Sequence, residues 1–303
     1  MTQPDVVLDS PERTVGTAGD YLELMKPRII MLVVFTFIAG LVAAQSVTGL
    51  VINPVLAIVA TIAVSLGSGA AGAINMWFDA DIDARMARTA TRPIPSGAVP
   101  REEALSLGII ISAMSVLLMW MASNVLAAVI LAISIVYYGV FYTMLLKRRT
   151  PQNIVIGGLA GAMPPLLGWS AVTGTIEADA VVLVLIIFAW TPPHFWALAI
   201  HRKEEYAKSG VPMLPVTHGE RVTKIHITVY TAILVVISVI PYFSGMSSLL
   251  YLTAALALGA GFMFWSLKLM RSPVPSTAMD TFKYSIVYLA LLFVALVVDH
   301  YLF

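Results

Sequence analysis

Apolar residues gather into nine stretches, at 28–46, 51–76, 104–122, 125–146, 152–172, 180–200, 224–243, 247–269 and 281–302, with polar residues largely confined to the segments between them. About 20 apolar residues in helical form span the hydrocarbon core of a bilayer. The pattern therefore predicts an all-α, polytopic membrane protein with nine transmembrane helices.

The polar positions are one-sided. If the N-terminus is inside, all 18 Lys and Arg fall in the N-terminal tail or at the even-numbered connections, and none at the odd ones. By the positive-inside rule this places the N-terminus in the cytoplasm and the C-terminus outside, in the cell (inner) membrane. The outer connections are short, with Glu177 and Asp179 as their acids. Two inner connections are long, about 27 residues from Trp77 to Glu103 and about 23 from His201 to Thr223. Long ordered connections are usually functional, so these two are expected to cap a membrane pocket from the cytoplasmic side. Residues 1–22 are polar and read as a flexible cytoplasmic tail, leaving 23–303 as a single domain.

Composition narrows the chemistry. The 303-residue chain is 59% hydrophobic, 12% charged and carries a net charge of +1, with a mean hydropathy of +0.89. Neither a P-loop nor a dinucleotide fingerprint occurs, so a nucleotide or nucleic-acid module has no support. With no cysteine, disulfides, thiolate metal sites and cysteine nucleophiles are excluded, and any metal must use oxygen or histidine.

Two places hold candidate chemistry. Asn75, Asp79 and Asp83 recur every fourth residue after an uncharged run, so on a helix they lie within roughly 80° of one another and form one polar face. Clustered carboxylates at the mouth of a membrane helix are normally kept for a cation, and hard oxygen donors favour Mg²⁺. The plainer alternative is a solvated helix end paired with Arg85 and Arg88. The second place is Trp190-Thr-Pro-Pro-His194-Phe-Trp196. Pro192-Pro193 should interrupt or kink the sixth span. If helix resumes beyond them, His194, His201 and Glu205 fall within about 40° of one another, with Trp190, Phe195 and Trp196 around them to line a flat apolar cavity. The plainer alternative for His194 is a structural histidine that ties down freed carbonyls. A secondary transporter or a non-catalytic membrane scaffold would share the helices and intramembrane acids, but no internal repeat is visible and the acid cluster sits at the membrane edge.

Together, the acid run and the following Arg85-Met-Ala-Arg88-Thr89-Ala-Thr-Arg92-Pro93, Leu-Met-Lys26-Pro27-Arg28, Tyr142-Thr-Met-Leu-Leu-Lys147-Arg148-Arg149, the Pro-Pro-His194-Phe-Trp196 segment and Gly210-Val-Pro-Met-Leu-Pro-Val216 resemble the UbiA-type intramembrane prenyltransferases, from about residue 22 to the end. The last two segments point to the haem branch, the protoheme IX farnesyltransferases or haem O synthases. The resemblance implies nine helices around a central, laterally open cavity with a cytoplasmic cap. It implies farnesyl diphosphate and haem B (protohaem IX) as substrates, Mg²⁺ as cofactor, and transfer of the farnesyl group to a haem vinyl with addition of water. A haem A synthase or cytochrome oxidase assembly factors are the partners it suggests. For that chemistry Asp79 and Asp83 are the first metal ligands, Asn75 is a neutral one, and Arg28, Arg85, Lys147, Arg202 and Lys203 are candidates for the diphosphate. His194, with Trp196 and His201, is the candidate haem contact. Asp81 would face away on an ideal helix. The chain departs from the family where a Lys-Asp-Tyr type motif is usual and Lys203-Glu204-Glu205-Tyr206 stands here. Either glutamate could ligate metal; helical phase favours Glu205, as a ligand and catalytic residue.

Overall fold

The computed structural model describes residues 16–272, 274 and 276–302. Among these, nine helices are long and apolar enough to cross a membrane: α1 Pro27–Thr48, α2 Pro54–Asp83, α3 Arg101–Ala122, α4 Val125–Leu146, α5 Asn153–Thr173, α6 Ala178–His201, α7 Gly219–Phe243, α8 Leu249–Arg271 and α9 Ser276–Leu302. No strand occurs among the described residues. The apolar runs set these helices, and local residues set their ends. Pro27 and Pro54 occupy first-turn positions where a missing N–H costs nothing. Asn53 and Asn124 cap α2 and α4 by accepting from Val55 N and Ala127 N, each at 2.9 Å.

Most of the expected tail, Arg13 included, lies outside the described residues. Its end does not behave as a loose tail: Ala18–Leu24 is a short helix, closed by a capping box between Thr17 and Asp20. Leu24 is fully buried in a cluster with Ala73, Met76, Val99 and Ala104, and Tyr21 donates to Glu103 at 2.5 Å. The chain is thereby anchored on α2 and α3 before it enters the bundle.

α1, α2, α4, α5, α6 and α9 surround a cavity of about 460 Å³. α3 packs outside against α2 and α4, while α7 and α8 pack outside against α6 and α9. Outward faces are apolar, as at Ile109, Leu117, Val229, Val236 and Phe264, which suits contact with lipid tails. The backbones of α1 and the second half of α5 approach each other closely. A Cβ on Gly168 would lie 2.0 Å from the Phe37 carbonyl oxygen, and one on Gly40 would lie 2.1 Å from that of Pro165. Gly168→Val is expected to destabilise the fold by about 1–3 kcal/mol or more, read as a lowered Tm in detergent; an unchanged Tm contradicts this packing.

Among the described residues three spans depart from an unbroken α-helix: α4, α5, and α7, whose last turn, Ile240–Phe243, is set off at Val239 just before Pro241. α6 continues as helix through Pro192 and Pro193, so of the expected interruption or kink the interruption does not occur. The break falls in α5 instead, at Met163 just before Pro164-Pro165, after a stretch weakened by Gly157, Gly158 and Gly161. The second half of α4, Tyr137–Leu146, is a π-helix, an element that is rare and frequently found at functional sites.

Candidate active site

α2 runs seven residues past the end of its apolar run, to Asp83, so Asn75, Asp79 and Asp83 occupy consecutive turns of one unbroken helix. All three are buried, Asp79 completely. Burying two carboxylates is tolerable only where cations meet them, and two other segments supply those. Lys147, just beyond the π-helical turn of α4, bonds Asp79 Oδ2; Arg148 approaches Asp79 Oδ1 at 3.6 Å. Arg92, from the 84–100 connection, donates to Asp83 Oδ2 at 2.7 Å. Lys26 donates to Asn75 Oδ1, and Asn75 Nδ2 donates to Asp79 Oδ2 at 2.9 Å and to Thr143 Oγ1 at 3.0 Å. Lys26, Asn75, Asp79 and Lys147 thus form one connected polar chain across α2 and α4.

Lys26 takes a costly backbone conformation to join it. Among the described residues it is the one non-glycine at positive φ, with φ 56° and ψ 62°. Pro27 disfavours the right-handed helical region at the preceding residue, and a left-handed residue of this type costs about 1–3 kcal/mol. Burial first, then the nearby cations of Arg92 and Lys147, push the Lys26 ammonium down to about 7 against the pull of Asp79 and Asp83.

The set fits Mg²⁺ in a particular way. Asp79 Oδ1 is buried without a hydrogen-bond partner, an acceptor left open beside Asp83 and the amide of Asn75. Among the described residues no three His, Asp or Glu side chains converge to cage an ion. That matches an ion held by one or two carboxylates and completed by substrate phosphates, the usual manner of Mg²⁺.

Glu205, the fourth expected ligand, sits on a different element from the face it was expected to share. α6 ends at His201, Arg202 leaves the helical region, and a separate helix spans Lys203–Ser209. Glu205 therefore does not continue the face of His194. Its side chain is 37% exposed and pairs with Arg202 at 3.2 Å and Arg88 at 3.9 Å, linking the two connections at this end of the bundle. Exposed ion pairs contribute at most about 1 kcal/mol, so Glu205→Gln is expected to lower turnover by less than about tenfold; a loss matching that of an Asp79 variant would return Glu205 to the metal set.

Other expected contacts also sort by position. Arg28 lines the cavity. Arg85 is exposed and makes no ion pair among the described residues, while Lys203 pairs with Glu220 at 3.3 Å and Arg202 with Glu205 at 3.2 Å. Asp81 faces away as expected and receives two bonds from Arg148, at 2.9 and 2.7 Å. Lys26, Arg92 and Thr143 were not foreseen as site residues; Lys26 and Arg92 carried a signal only as basic residues inside recognised motifs.

The aromatic part of the cavity is built around His194. Its ring stacks on Trp190 and Phe282, with centroids at 4.2 and 4.6 Å, and meets Phe195 edge-on at 4.9 Å. Two expected haem contacts do not join it. Trp196 is fully buried on another side of α6, edge-on to His226 and Tyr230, and His201 is exposed at the helix end. Lys26 and Arg28 are the charged part of the cavity wall, and His194, Trp190 and Phe282 belong to its aromatic part. Such a space accepts an anionic head and an apolar body.

A ring of membrane helices with buried carboxylates and cations above an apolar cavity defines an intramembrane enzyme for an amphipathic, anionic substrate. The chain belongs to the UbiA prenyltransferase family, whose match covers residues 32–297, and is a prenyltransferase. Among its relatives, the protoheme IX farnesyltransferase of Hyphomonas neptunium (strain ATCC 15444) is 56% identical over 300 residues, covering 96% of this chain and 94% of that one. The protein of the same name from Parvibaculum lavamentivorans is 50% identical, covering 95% and 91%. The fold is shared with a digeranylgeranylglyceryl phosphate synthase, at TM-score 0.79 and 21% identity over 94% of this chain and 99% of that one. It is also shared with a UbiA homologue from Archaeoglobus fulgidus bound to GPP and Mg²⁺, at TM-score 0.60 and 16% identity over 91% and 99%.

Proposed function

We propose that this enzyme transfers the farnesyl group of farnesyl diphosphate to a vinyl group of haem B, with addition of water, to give haem O. The observation that carries this reading is the 56% identity, across nearly the whole of both chains, to a protein named for farnesyl transfer to protohaem IX. The cavity agrees with it, since a diphosphate suits the Lys26 and Arg28 side, which Lys26 ties to the acid cluster through Asn75, and a porphyrin suits the stacked rings at His194.

The steps balance without a redox partner. The C–O bond of the allylic diphosphate breaks, and its electron pair leaves with the diphosphate. The vinyl π electrons then form the new carbon–carbon bond to the farnesyl cation. Water captures the resulting cation beside the porphyrin ring and releases a proton. Asp79 and Asp83, with Asn75 as neutral donor, would hold Mg²⁺, which would supply charge neutralisation for the leaving diphosphate. Lys26 and Lys147 hold phosphate oxygens, and Arg92, which reaches Asp83 from the 84–100 connection, gives a forked contact. The apolar walls keep bulk water from the farnesyl cation until the carbon–carbon bond has formed. The basic end of the bundle faces the cytoplasm in this reading, which puts diphosphate entry and the site on that side.

Running the reaction in ¹⁸O-water tests the sequence of steps. The product haem should gain a farnesyl group and one labelled hydroxyl. A farnesylated haem with no added oxygen contradicts the water step, and prenylation of a different acceptor only contradicts the choice of haem.

A further inference from the structure

Ser285 of α9 is fully buried and joins α9 to α6 twice. Its carbonyl accepts from Trp190 Nε1 at 2.7 Å, and its hydroxyl oxygen lies 2.7 Å from His194 Nδ1 and 2.6 Å from the carbonyl oxygen of Phe282. A serine hydroxyl has one hydrogen, and a backbone carbonyl can only accept. The hydrogen therefore goes to Phe282, and the remaining contact requires His194 Nδ1–H to donate to the serine oxygen. In the neutral imidazole this leaves the lone pair on Nε2, which makes no hydrogen bond among the described residues, on a ring that lines the cavity. The stacking of Trp190 and Phe282 on the two sides of the ring holds its plane.

We infer that His194 Nε2 is an axial ligand for the iron of the porphyrin substrate, and that Ser285 is the positioning residue that fixes its tautomer. The inference rests on the reading of haem as acceptor given above. An imidazole whose second nitrogen donates to a fixed oxygen is oriented and made more basic as a metal ligand. Ligation would locate the porphyrin by its centre, leaving its vinyl edge to reach toward the charged part of the cavity wall, and would give iron porphyrin an advantage over the iron-free ring.

Resonance Raman spectra of the full-length protein with ferrous haem B, together with haem and iron-free protoporphyrin binding, test this. Wild type should give an iron–imidazole stretching band and bind haem more tightly than the iron-free ring. His194→Gly should lose the band and regain it with free imidazole. Ser285→Ala should shift the band to lower frequency and weaken haem binding about tenfold, while Ser285→Thr, which keeps an acceptor oxygen, should hold the wild-type frequency. A band unmoved in Ser285→Ala, or moved equally in Ser285→Thr, overturns the role of Ser285. Wild-type protein that converts haem B with farnesyl diphosphate but gives no such band overturns the ligation and leaves the functional reading intact; failure to convert haem B removes that reading itself.

Discussion

Asp79→Ala is expected to lower turnover by at least about 10³-fold. Removing one preorganised group that stabilises transition-state charge typically costs about 10²–10³, and Asp79 serves twice, through its open Oδ1 and as the anchor of Lys147. Folding should survive, because Lys147 is 21% exposed and can turn its ammonium toward water. Single-turnover farnesyl transfer by purified variant and wild type measures the effect. A rate within threefold of wild type would remove Asp79 from the metal site.

Lys147→Met should cost about 10²-fold in turnover and a smaller amount of stability. Breaking a buried ion pair costs about 3–5 kcal/mol when the surviving charge is stranded. Here Asp79 keeps the Asn75 amide at 2.9 Å and Arg148 at 3.6 Å. The expected loss is therefore nearer about 1–3 kcal/mol, the range for a single buried polar group losing one partner. Adding Asp79→Asn to Lys147→Met removes the stranded charge and should recover Tm while leaving turnover lost, a non-additive pair as residues in contact usually are. Recovery of turnover in the double variant contradicts the assigned roles.

The span count was legible because apolar length is a direct demand of the bilayer. Helix ends were less so. α2 outlasts its apolar run because its acids are neutralised by residues 9 and more than 60 positions away in sequence, Arg92 and Lys147, and composition cannot register such partners. The acid face was legible because helical spacing alone aligns Asn75, Asp79 and Asp83. Extending that same spacing to Glu205 failed, because the chain leaves the helix at Arg202. The two proline pairs have a similar lesson. Pro164-Pro165 follows three glycines and ends a helix, whereas Pro192-Pro193 follows Phe188-Ala-Trp-Thr, where Thr191 bonds Ile187 O at 2.8 Å and Trp190 is tied to α9. Ser285 gave no signal in the sequence, since only the packing of α9 on α6 brings it to His194.

The most direct measurement is to incubate purified protein with haem B and farnesyl diphosphate, with Mg²⁺ or with a chelator, and resolve the extracted haems by liquid chromatography and mass spectrometry. A haem heavier by a farnesyl group plus water, formed with Mg²⁺ and lost on chelation, is the expected result. Recovery of unchanged haem B from folded protein with Mg²⁺ present, or equal product under chelation, contradicts it.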